Sequence, residues 1–164
     1  MKASVFYAHI CDCLSSCQPL MAILDTEDGL RRVDQPEDGT FSACLTFGRL
    51  FGAPIPGFES EPVQNAFVTF TPYVRVDHSD TQAGDLVLGD ILYWLKRRFG
   101  CARCEFNCCA PGSATEIIVL NSRWDGDLDE PALDTTLQAW HQSVRYMFKV
   151  AYQCCRPGQP EFCF

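Results

Sequence analysis

Eleven cysteines in 164 residues constrain this chain more than any other feature. All but Cys44 fall in groups. The first group is Cys11-x-Cys13-x3-Cys17, and the second is Cys101-x2-Cys104-x3-Cys108-Cys109. The third is Cys154-Cys155, with Cys163 close behind. Thiols grouped in this way pair as disulfides, coordinate a soft metal, or fill a core as small apolar side chains.

A disulfide framework suits a short secreted chain with an even cysteine count. Here the count is odd, and residues 1–10 make a poor secretory leader, with Lys2 as the one basic residue and His9 within the run. Adjacent cysteines such as Cys108-Cys109 also bridge to each other badly, because Cβ atoms must approach at a defined torsion. A disulfide-rich secreted protein is kept as an alternative.

Zinc fits the pattern better. A tetrahedral Zn²⁺ takes four ligands, with sulfurs at about 2.3 Å, and a C-x2-C turn presents two of them together. Cys101-Ala-Arg-Cys104 is such a turn, and Cys108 or Cys109 is the nearest further supply. The remaining candidates are Cys154 with Cys155, and Cys11 with Cys13, brought in by the fold. The plain reading beside this one is core packing, which takes Cys44 and extends to Cys17 and Cys163. Bound zinc would add roughly 10–16 kcal/mol, comparable with the stability of a whole domain.

The rest of the composition bounds the function. A chain of this length buries roughly 70% of its unfolded surface, so it builds a core without staples and reads as a single domain over residues 1–164. Net charge is -8. An acidic surface repels phosphate backbones, so nucleic-acid binding is not expected. The compact basic clusters, Arg31-Arg32 and Lys96-Arg97-Arg98, read as solvated element ends. No apolar run is long enough for a membrane helix, and the expected location is intracellular, in cytoplasm or nucleus.

Periodicity predicts an antiparallel β-meander in the first half. Residues 3–10 alternate as a strand. Residues 20–24 and 30–33 flank the Asp28-Gly29 turn as a hairpin. Residues 40–47 form a strand with Phe41, Ala43, Leu45 and Phe47 on one face. Residues 48–62, rich in Gly and Pro, form a loop, and 67–76 form the longest strand, with Pro72 placing it at an edge. The second half predicts two main helices. The first spans 86–99, capped by Asp85, with Leu88, Ile91, Leu92, Leu95 and Phe99 as its stripe and Gly100 as its stop. A short buried strand follows at 116–120. The second helix spans 131–152, where Leu133, Leu137, Trp140, Val144, Met147 and Ala151 recur at helical spacing. On this reading the cysteine groups lie at element ends, where a metal clip would tie a fold.

Catalysis finds little support. A cysteine hydrolase needs a Cys–His pair, and Cys108 with His9 is the one combination that could supply it. Cys108 does not open a helix that would lower its pKa. His9 could instead join Cys11 and Cys13 as a zinc ligand. His141 is expected to face solvent on the second helix, and His78 lies in a turn. The acidic run from Trp124 to Glu130 fails the EF-hand spacing, since Gly and Glu miss their positions. Its carboxylates read as favouring the start of the helix at Pro131. No phosphate loop, nucleophile elbow or H-E-x-x-H motif occurs.

Compact, acidic and rich in CxxC, CxC and CC pairs, the chain resembles the small cysteine-rich accessory proteins of RNA viruses. It is most similar in type to the first-reading-frame proteins of sobemoviruses. The resemblance covers size, cysteine habit and the Cys101–Cys104 turn; family members with two CxxC knuckles differ from this chain, which has one. It implies a zinc-binding suppressor of RNA silencing that also aids viral movement, acting on a host protein rather than as an enzyme. A homo-oligomer is compatible with this. The expected fold is α+β: an antiparallel meander, two main helices and a cysteine-rich zinc-binding region.

Overall fold

The computed structural model of the chain describes residues 3–25, 29–31, 35–37, 39–54, 63–77, 83–100 and 117–152. The fold is α+β, and its sheet is mixed.

The chain opens with a helix, α1 (Ala3–Ser15), where alternation predicts a strand. Apolar residues of both parities over residues 3–10 suit either element. The choice shows once Cys13 and Leu14 are included, because Phe6, Ile10, Cys13 and Leu14 then follow one helical stripe. All four are fully buried. A second helix, α2 (Gln18–Met21), follows directly, with Pro19 in its first turn and Leu20 buried.

The hairpin predicted around Asp28-Gly29 does not form, since residues 20–21 are helical and β1 (Leu30–Arg31) runs parallel to β2 (Ala43–Pro54). Asp25 fixes the start of β2. Its carboxylate accepts from the amides of Ser42 at 2.9 Å and Ala43 at 3.2 Å, and its own amide donates to the Ala43 carbonyl at 2.9 Å. The predicted loop at 48–62 is strand as far as Pro54, with a bulge between Gly48 and Phe51. Residues 55–62 lie outside the described residues.

β3 (Val63–Arg75) is central and not an edge. It pairs antiparallel with β2 on one side. On its other side it pairs with β7 (Val144–Tyr152) along residues 63–70 and with β6 (Ala139–His141) along residues 73–75. Pro72 is tolerated because of where its missing N–H points. The Arg75 amide donates to the carbonyl of Ser42, the residue just before β2, so by alternation the Pro72 nitrogen faces away from β2. It meets the gap where β7 has begun and β6 has ended, and no ladder bond is lost.

α3 (Gly84–Phe99) matches its expected span. Ala83 occupies the cap position and Asp85 lies within the first turn, so Asp85 favours the positive helix end through its charge without capping it. Val87, Leu88, Ile91, Leu95 and Phe99 are buried, while Leu92 is half-buried. Gly84 lets the helix start press on the sheet: a Cβ there would lie 2.5 Å from the Arg75 carbonyl oxygen.

The helix predicted over 131–152 is absent. β4 (Ile117–Asp127), longer than the strand expected at 116–120, pairs with β7, and β5 (Ala132–Asp134) pairs with β6. Between β5 and β6 the Asp134 carboxylate accepts from the amides of Thr136 at 2.8 Å and Leu137 at 2.9 Å, closing a turn in place of helix. Val144, Tyr146, Phe148 and Val150 alternate into the main core, and Met147 among them is buried as well. That two-residue period coexists with the helical one in the same segment, and sheet pairing on both sides of β7 selects it.

Both long helices lie on one face of the sheet. Phe6 of α1 meets Phe148 edge-on at 5.6 Å, and Phe99 of α3 stacks on Phe70 at 5.4 Å. Phe41, Cys44, Tyr73, Leu137 and Ala139 form a smaller cluster, so Phe41 parts from Ala43, Leu45 and Phe47 in the main core. His141, expected in solvent, is half-buried and stacks on Tyr73 at 5.4 Å. Among the described residues no helix is long and apolar enough to cross a membrane.

Candidate functional site

The cysteine candidates divide by location. Cys11 and Cys13 lie inside α1, not after a strand. Two residues along a helix turn the side chain by about 200°, so the sulfurs leave opposite faces. Cys13 is fully buried in the main core, and Cys11 is only partly covered. The C-x-C pair therefore does not present two thiolates to one ion. His9 lies one turn before Cys13 and is half-buried; burial lowers its pKa, with Asp12 opposing. Among the described residues no group of three or more His, Cys, Asp or Glu side chains is placed to hold a metal. Cys17 sits at the start of α2, partly buried. Cys44 is fully buried, and burial pushes its thiol up to about 12. A protonated, enclosed thiol is a packing group.

Cys101, Cys104, Cys108, Cys109, Cys154, Cys155 and Cys163 lie outside the described residues, and so does any pairing of Cys108 with His9. Their attachment points are described. Cys101 follows Gly100, which ends α3, and the same connection enters β4 at Ile117. Cys154 follows β7, which ends at Tyr152. Ile117 and Tyr152 are direct partners across the β4–β7 ladder. The connection carrying the second cysteine group and the tail carrying the third thus leave the sheet side by side.

Arg31 and Arg98, one from each basic cluster, make contacts within the fold. Arg31 donates to Thr40 and lies over the Phe41 ring at 6.0 Å. Arg98 donates to the Cys13 carbonyl and the Ser16 hydroxyl. The acidic run from Trp124 to Glu130 favours no helix start, because none follows. Asp125 instead pairs with Arg145 at 2.7 Å, and Asp129 accepts the Ser143 amide at 2.6 Å.

A second feature escaped sequence reasoning. A groove of about 310 Å³ runs between α3 and β4. Gly89, Tyr93 and Lys96 line one wall at helical spacing, Trp124 and Asp127 line the other, and buried Val144 and Tyr146 lie beneath. Tyr93 is 53% exposed and Trp124 is 43% exposed. The Lys96 ammonium sits over the Trp124 ring at 5.0 Å, a cation–π contact. Burial raises the pKa of the Tyr146 phenol, and the Asp127 carboxylate raises it further. The only sequence signal was Tyr93 off the apolar stripe of α3, one turn beyond a glycine. Its partner wall comes from residues some thirty positions on.

Set against known protein families and characterised proteins, the chain matches no family model and no curated protein.

Proposed function

We propose that the chain is a zinc-stabilised intracellular interaction protein, not an enzyme, that engages a host protein to suppress RNA silencing and also aids viral movement. The observation that supports it is the pairing of Ile117 with Tyr152. The connection that contains Cys101, Cys104, Cys108 and Cys109 enters β4 at Ile117, and the tail that contains Cys154 and Cys155 begins after Tyr152, so both attach at one end of one strand pair. A zinc held by Cys101, Cys104 and one of Cys108 or Cys109, completed from the tail, would tie α3, β4 and β7 together. Such a clip replaces chain entropy with a coordinate bond, and it needs no open coordination position.

Metal analysis of the purified full chain tests the reading, with about one or two zinc ions per chain expected. A chelator then lowers the melting temperature. Metal-free protein of unchanged stability would sink the zinc part. The silencing part is tested separately in a reporter assay, where the wild-type chain restores expression and Cys104→Ser does not. A wild-type chain that leaves silencing intact removes that part alone.

A further inference from the structure

We propose that the groove between α3 and β4 is a docking site for an extended basic segment of a partner protein, with a Lys or Arg side chain entering above Gly89. The inference deepens the interaction reading and rests on it only in assuming that the chain acts by binding. It does not depend on zinc.

Gly89 is the first observation. It sits in the interior of a sixteen-residue helix, where glycine weakens the element relative to alanine. A Cβ built there meets nothing within 4 Å, so packing within the described residues does not require its absence. An open place kept at the expense of helix stability is room for something else.

The chemistry of the walls selects the occupant. Tyr93 and Trp124 offer large exposed rings, a composition that concentrates binding energy. Asp127 lines the groove, and Asp85 lies one turn before Gly89 on the same side of α3. Ring faces and a carboxylate together recognise a cation. The molecule already uses the far end of the groove this way, since Lys96 covers the Trp124 ring at 5.0 Å. A net charge of -8 adds long-range attraction for a basic segment.

An extended backbone fits because β4 is a strand of eleven residues that pairs, among the described residues, with β7 alone. Its bulges, between Val119 and Asn121 and between Trp124 and Gly126, bracket one regularly paired run, Asn121–Ser122–Arg123–Trp124. A segment added there would alternate its side chains, and alternate ones would reach the groove. Helix on one side and strand edge on the other is a recurring geometry for peptide capture.

The test uses the full chain and a labelled capped peptide, Val-Thr-Arg-Val-Thr, read by fluorescence anisotropy and by amide chemical shifts. The arginine peptide should bind and shift Gly89 and the Trp124 indole. Replacing its arginine by alanine or glutamate should weaken binding at least about tenfold. Gly89→Leu should abolish binding while leaving the melting temperature equal or higher. Asp127→Asn should weaken binding and flatten its salt dependence. Equal binding of the alanine or glutamate peptide would overturn the proposal, as would full binding by Gly89→Leu. A concentration-dependent dimer that buries the groove and excludes the peptide would also overturn it. None of these results bears on the metal content, so the zinc reading stands or falls separately.

Discussion

Arg98, in the last turn of α3, donates to the carbonyl oxygen of Cys13 at 3.1 Å and to the Ser16 hydroxyl at 2.8 Å. A carbonyl in the last turn of α1 is thus satisfied from another helix, and a positive charge meets the negative end of that helix. Arg98→Ala should lower stability by roughly 1–3 kcal/mol, as expected for hydrogen bonds from a charged donor. Urea unfolding of Arg98→Ala and Arg98→Lys measures this, with lysine recovering part of the loss.

Phe70 carries the centre of the main core. It is fully buried and lies against Phe99, Tyr146 and Phe47 at 5.4, 5.8 and 6.1 Å. Phe70→Ala should cost about 3–5 kcal/mol through lost burial and the cavity left behind. Phe70→Leu should cost less than Phe70→Ala, since more of the volume is kept. Thermal and denaturant midpoints of both variants check the order.

Cys44 links stability to alkaline pH. Burial pushes its thiol from the ordinary 9.0 up to about 12, against the pull of Arg31 and with a smaller push from Asp25. Below pH 9 both folded and unfolded chains hold the proton, and this contribution is fully present. Between 9.0 and about 12 the unfolded chain loses its proton first, so stability falls as pH rises. The fall should be shallower in Cys44→Ala than in wild type. Equal slopes across that window would show that the thiol is not held protonated. At pH 8, iodoacetamide should label Cys44 only after denaturation.

Zinc-site variants should separate ligands from packing cysteines. Cys104→Ser is expected to lower zinc content and melting temperature together. Cys44→Ser should keep the full zinc content, while losing stability because a hydroxyl replaces a thiol in an apolar cluster. Equal zinc loss in both variants would contradict the assignment.

The Asp125–Arg145 pair should matter little. The arginine side chain is 43% exposed, so water and salt screen the 2.7 Å contact. Asp125→Asn should change stability by under about 1 kcal/mol, and added salt should narrow the difference. A larger change in denaturant titrations would mean that the pair holds β4 on β7.

Much of the fold was legible where local signals agree. α3 combines a single apolar stripe with an acidic first turn and a basic last turn, and it forms as read. The strand at 67–76 and the packing role of Cys44 were also readable from alternation and isolation. Legibility failed where one segment satisfies two periods. Residues 3–10 and 131–152 each carry a helical and a strand pattern. The first became a helix because its stripe continues into Cys13 and Leu14. The second became strands because β3 and β4 stand on either side of β7.

The cysteine groups, the acidic charge and the α+β class could be stated from residues alone, because composition and unambiguous periodicity are local properties. The placement of Pro72 in a central strand and the joining of Gly89 and Tyr93 to Trp124 and Asp127 could not. The pairing of Ile117 with Tyr152, where β4 begins and β7 ends, could not either. Each depends on which strand lies beside which. Pairing is a contest among distant segments for the same hydrogen bonds and the same buried face, and it is settled only when the whole sheet closes against its helices.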